Sequence, residues 1–148
     1  MKLVGIDIAK YEHAAFIMEA STGESLCDPF FFKNNKEGFK KLYTELNKYS
    51  KNELLIGMED TGHYNFAIES SLLAEGYKVA LINPITTKSL RKASLKSVKS
   101  DKEDALLITK ALLDKAYYRI ISIQDEKLKE AKELTRYRTQ LTLEMNRK

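Results

Sequence analysis

The sequence predicts an α/β domain with a mixed five-stranded sheet and flanking helices, followed by a long C-terminal helix. Three observations carry this prediction. Short, largely apolar runs at residues 2–8, 13–20, 25–33, 53–59 and 77–82 have the length and β-branched content of strands. Stretches of helical periodicity fall between the later strands, which then need crossovers and are expected to run parallel. The last segment, from about Asp125, repeats apolar residues at near-heptad spacing to the end of the chain.

Taken in order, Lys2-Leu3-Val4-Gly5-Ile6-Asp7-Ile8 is a buried strand interrupted by an acid. The runs 13–20 and 25–33 flank Ser21-Thr22-Gly23-Glu24, a polar turn of hairpin length, so the first three strands pair antiparallel. Asn34-Asn35 opens a helix over about 36–49, with Phe39, Leu42, Leu46 and Tyr49 on one face. The run 53–59 again ends in an acid, and Thr61-Gly62 turns the chain. Residues 64–75 carry Phe66, Ile68, Leu72 and Leu73 at helical spacing, and Gly76 closes that helix. The strand 77–82 stops at Asn83-Pro84. Residues 86–100 are basic and serine-rich without an acid, and a helix follows from Asp101 to about Lys115. Tyr117–Ile123 is a short apolar stretch, after which Asp125 is expected to cap the last helix.

Composition excludes several functions. No apolar run approaches the roughly 20 residues of a membrane span, and an acid at position 7 breaks any signal-peptide core, so a cytoplasmic location is expected. One cysteine, Cys27, and two histidines, His13 and His63, are too few for a thiolate or imidazole metal site. Six glycines and the lack of a P-loop argue against a nucleotide-binding ATPase. The net charge of +4 and pI of about 9.0 suit a nucleic-acid partner. All but five of the 25 basic residues are lysine, which favours phosphate contact over base reading.

Acids stand out at four positions. Asp7 and Glu59 each end a strand, and ligands gather beyond the carboxyl ends of parallel strands. Asp101 and Asp104, spaced i,i+3, share one face at the start of a helix. Asp101 alone would be accounted for as a helix cap, whereas an acid in the strand ending at Asp7 needs a partner to be buried. Four converging carboxylates repel unless cations neutralise them, and oxygen-only donors suit magnesium or manganese. Ions so held can activate a phosphodiester. The basic residues Lys88, Arg91, Lys92, Lys96, Lys99 and Lys102 precede and interleave the paired aspartates and are expected to contact phosphates.

Three segments together resemble a known signature: Gly5-Ile6-Asp7-Ile8-Ala9-Lys10, Met58-Glu59-Asp60-Thr61-Gly62-His63-Tyr64 and Lys99-Ser100-Asp101-Lys102-Glu103-Asp104-Ala105. They look like the DEDD motifs of the N-terminal domain of IS110-group insertion-sequence transposases, relatives of the Piv DNA invertase. The resemblance spans the chain. It implies a RuvC-like, RNase H-like fold over residues 1–123. Residues 124–148 would begin a coiled-coil segment that leads to a C-terminal transposase domain outside this chain. It further implies Asp7, Glu59, Asp101 and Asp104 as the catalytic, metal-binding tetrad for Mg2+ or Mn2+. A nucleophilic serine would come from the missing domain, with DNA, a structured bridge RNA and a homo-oligomer (dimer or tetramer) as partners. Two positions depart from the pattern. Asp60 adds a charge where a small residue is usual, and Ser100 replaces threonine.

Alternatives remain at this level. A stand-alone Holliday-junction resolvase or RNase H-like nuclease would use the same acids unaided. A non-catalytic nucleic-acid-binding module would use only the basic segment and the last helix, whose Lys127, Lys129, Lys132, Arg136 and Arg138 offer a charged flank. Metal dependence separates the enzymes from the module.

Overall fold

Two runs without an internal polar residue, Leu3–Ile6 and Leu54–Met58, become the central strands of the sheet. In the computed structural model, which describes residues 1–94 and 100–147, both are buried on each face, as near-continuous apolar strands require. Strands β1 (Lys2–Asp7), β4 (Leu54–Glu59) and β5 (Lys78–Ile82) run parallel. Strands β2 (Glu12–Glu19) and β3 (Phe30–Lys33) extend the sheet antiparallel from β1.

The sheet has a sixth strand where five were expected. β6 (Tyr118–Ile121) pairs antiparallel with β5, Tyr118 opposite Ile82, and the spatial order is β3-β2-β1-β4-β5-β6. It arises from the apolar stretch left unassigned above. Only four residues long and buried only at Ile121, this edge strand has no clean period-two pattern.

Helices cover both faces. On one, α1 (Lys36–Leu46) and α2 (Phe66–Ala74) bring Phe39, Leu42, Leu46, Ile68 and Leu72 onto Val4, Ile6, Ile17, Phe32 and Ile56. On the other, α4 (Asp101–Ala111) sets Ala105, Ile108, Ala111 and the following Leu112 on Leu3, Ala14, Phe16, Leu55 and Ala80. Gly76, at φ 84°, closes α2 as predicted, its N–H donating to Leu73 O while Tyr77 N–H reaches Leu72 O, both at 3.0 Å.

Three local readings are corrected. Part of the basic segment is helical: α3 (Pro84–Ala93) starts where Asn83 Oδ1 accepts the Ile85 N–H at 3.0 Å and proline occupies the first turn. The last helix, α5 (Ile123–Asn146), is capped by Ser122 and not Asp125; Asp125 returns the bond by accepting the Ser122 N–H at 2.9 Å. Ser100, not Asp101, caps α4, its hydroxyl accepting the Glu103 N–H at 3.2 Å. Among the described residues no helix is long and apolar enough to cross a membrane.

How α4 meets the sheet positions everything that follows. Gly5 and Gly57 lie opposite each other on β1 and β4. A Cβ at Gly5 would stand 2.2 Å from Thr109 Oγ1 and 2.5 Å from Ala105 O, and one at Gly57 2.6 Å from the Leu112 side chain. The helix backbone itself rests on Gly5 and has no flexible tip to yield. Gly5→Ala is expected to cost about 2 kcal/mol of overpacking, seen as a lower urea midpoint at unchanged m-value.

Candidate metal centre

Side-chain alternation aims the strand acids. Leu3, Gly5 and Asp7 share one parity of β1, and Leu55, Gly57 and Glu59 share the matching parity of β4. Leu3 and Leu55 pack under α4, so Asp7 and Glu59 project from the same face beyond it. Ile6 pairs with Met58, which sets the two acids side by side at the carboxyl ends of adjacent parallel strands.

Helix α4 completes the group. Carboxylate oxygens of Asp7, Asp101 and Asp104 lie within 4.8 Å of one another. Asp7 and Asp104 are half-buried and Asp101 is exposed. Glu59 is not one of these three. It lines a cleft of about 260 Å³ with Asp7, Thr87, Lys88, Arg91 and Asp104, and its Oε1 accepts a hydrogen bond from the Thr87 hydroxyl.

Such crowding has an electrostatic cost. Burial, and then the charges of Asp104, Asp101 and Glu59, push the Asp7 carboxyl up to about 7, while Arg91 opposes the shift. The N-terminus of α4 helps by placing its positive end beneath Asp101 and Asp104. Arg91 of α3 forms an ion pair with Asp104. An all-oxygen donor set of this spacing fits a hard divalent cation, and its open side leaves room for further oxygen ligands.

The sequence profile of the IS110-type DEDD transposases, described as Transposase, matches residues 4–148. The chain belongs to that family. It is also 28% identical over 109 residues to the Pilin gene-inverting proteins of Moraxella bovis and Moraxella lacunata, covering 72% of this chain and 33% of each relative. The chain thus spans about a third of the length of these curated relatives. Two solved structures share its fold. Thermus thermophilus RuvC aligns with a TM-score of 0.56 at 11% identity, over 82% of this chain and all of that one. RuvC of T. thermophilus in complex with a Holliday junction substrate aligns at 0.53 and 14%, over 74% and 90%. This transposase family member therefore carries the RuvC-like, RNase H-like architecture that its motifs imply.

The basic residues expected at phosphates divide by position. Lys88 lines the cleft and is exposed, as is Lys92 one turn on. Lys102 is exposed, its Nζ 5.8 Å from the centre of the Phe31 ring. Arg91 turns inward onto Asp104 instead of outward. Lys96 and Lys99 lie outside the described residues. Asp60, the extra charge beside Glu59, takes the opposite parity and meets Arg119 of β6 at 3.6 Å. His63 is exposed in a single 3-10 turn and is not among the residues that line the cleft.

Sequence reasoning missed the residues that brace the acids. Thr87, only 2% exposed, fixes Glu59, and its Oγ1 is 2.9 Å from Pro84 O. Buried Asn65 donates to Glu69 Oε1 at 2.6 Å and to the Glu59 carbonyl at 3.5 Å, tying the turn after β4 to α2. One sequence signal does mark the site: a glycine stands two residues before each strand acid, in Gly5-Ile6-Asp7 and Gly57-Met58-Glu59.

The raised Asp7 pKa makes a pH-dependent prediction. The folded state holds this proton more tightly than the unfolded chain, so stability falls as pH rises from about 4 to about 7 and then levels off. Asp7→Asn removes that penalty. In the absence of metal it is expected to stabilise the protein by about 2 kcal/mol at pH 8 after allowance for solvent screening. The gain at pH 5 should be clearly smaller, and thermal melts of both proteins at the two pH values measure it.

Proposed function

We propose that this chain is the metal-binding domain of a DNA transposase, in which Asp7, Glu59, Asp101 and Asp104 hold Mg2+ or Mn2+ for strand cleavage and transfer. The observation that carries the reading is the convergence of carboxylates from β1 and α4 on one open cleft, in a chain that the transposase family profile matches over residues 4–148. A divalent ion in this cleft supplies Lewis-acid activation of a phosphodiester. The protein's own residues do the rest. Asp7, Asp101 and Asp104 offer the ligand oxygens, and Glu59 is held ready by Thr87 to join them. Lys88 at the cleft, with the exposed Lys92 of α3 and Lys102 of α4, would serve as a basic rim that draws a phosphate backbone in, with an affinity that falls as salt rises.

The family resemblance extends the proposal. A serine from a further domain completes the active site, and a structured guide RNA selects the DNA. Homo-oligomers form through α5, where Leu134, Tyr137, Leu141 and Met145 are exposed. Support for oligomerisation comes from that helix: 24 residues long, it has no buried residue.

Calorimetric titration of Mn2+ tests the metal site. The parent chain is expected to bind, and a folded Asp7→Ala, Asp104→Ala double variant to give no heat. Equal heats from the two proteins, or none from either with and without a short DNA duplex, would return the acids to a structural role. In that case the basic rim would have to be explained as a non-catalytic binding surface.

A further inference from the structure

Among the described residues, the four acids share one ion pair, that of Asp104 with Arg91. Arg91 sits in the last turn of α3, and its side chain is 35% exposed against 12% for Asp104. The guanidinium therefore enters the cleft from the solvent side and occupies an oxygen of the very carboxylate group that gathers with Asp7 and Asp101. Arginine stays charged at any working pH and is more weakly hydrated than an ammonium, so it can stand against a carboxylate with little desolvation cost. It can also leave, because about a third of its side chain is already exposed to solvent.

We infer that Arg91 is a displaceable internal counter-ion, which neutralises Asp104 while the cleft holds no metal and competes with a divalent cation for that carboxylate. This rests on the metal-site reading above. The alternative role for an arginine beside metal ligands is a fixed brace that orients Asp104 and stays in place once metal arrives. The two roles have opposite signs. A competitor weakens metal binding, because its contact with Asp104 must be given up and its positive charge repels the ion. A brace strengthens binding by holding the ligand in position.

Geometry favours the competitor. The backbone of Asp104 is already fixed without α3, in the first turn of α4, its N–H donating to Ser100 O at 2.9 Å, and α4 is seated on Gly5. Glu59 is the acid that α3 does brace, through the buried Thr87 three residues after Pro84. One helix thus presents a buried, neutral donor to Glu59 and a half-exposed, charged one to Asp104. The neutral contact can persist beside a bound cation, whereas the charged one opposes it.

The test is Mn2+ titration of the parent, Arg91→Met and Arg91→Lys, with far-UV circular dichroism to confirm folding and Arg91→Gln as a second neutral variant. Arg91→Met is expected to bind Mn2+ roughly five- to tenfold more tightly than the parent, on the screened Coulomb scale for charges near a surface. Arg91→Lys should stay near the parent, because the charge is kept. Without metal at pH 8 the neutral variants should melt lower than the parent and gain more from added Mn2+. Unchanged or weaker Mn2+ binding by folded Arg91→Met and Arg91→Gln overturns the inference while leaving the metal site standing. Binding by none of the proteins overturns the metal reading and this inference together.

Discussion

The candidate site depends on how closely one helix can approach two strands. Asp101 and Asp104 belong to α4, Asp7 to β1, and their oxygens meet only because α4 lies against bare backbone at Gly5 and Gly57. Helices usually stand off a sheet by the thickness of two side-chain layers. Here one layer is missing at the two positions immediately beneath the acids. The Thr109 hydroxyl fills the space by bonding back to Ala105 O at 2.7 Å, which leaves no unpaired polar group in the contact. Steric complementarity at two glycines thus becomes electrostatic proximity at three carboxylates.

That proximity is held against repulsion, and the fold must supply the force. Two apolar layers, one under α1 and α2 and the other under α4, clamp β1 and β4 from both faces. The strand ends cannot splay to separate their acids without opening one of these layers, at about 25 cal/mol for each Å² of apolar surface exposed. The charge is then relieved locally in three ways. Asp7 retains its proton to near neutral pH, the N-terminus of α4 lies beneath the aspartates, and Arg91 pairs with Asp104. A cation would relieve the mutual repulsion of like charges held together by the rest of the fold, which connects the packing of this domain to its proposed chemistry.

Much of this was legible in the sequence because it follows from chain periodicity. The parallel strands, the hairpin before them and the acids at strand ends all come from runs whose burial leaves one reading. What stayed hidden depends on tertiary context. β6 is a four-residue edge strand whose pairing is decided by β5. α3 carries Thr87 and Leu90 inward among serines and lysines, too thin an apolar stripe to declare itself. The helix caps at Ser100 and Ser122 were each overshadowed by an acid one or three residues on, although serine in front of such an acid is the stronger start signal. The Gly-x-acid pairs could have been read as marks of close helix approach, since glycine inside a strand otherwise only weakens it.

Asp60 shows how the hidden elements matter to the legible ones. From sequence, two adjacent acids at the end of β4 compete for one cleft. Strand parity separates them: Glu59 follows Leu55 and Gly57 toward α4, and Asp60 must face the other way. Turned away from the cleft, Asp60 is exposed to solvent, with its N–H tied to Ile82 O at 2.9 Å. β6 adds a surface partner by placing Arg119 opposite Leu81, within 3.6 Å of the Asp60 carboxylate. Strand parity and the sixth strand together thus place Asp60 beside Arg119 at the sheet edge, and leave Glu59 as the acid of β4 that lines the cleft.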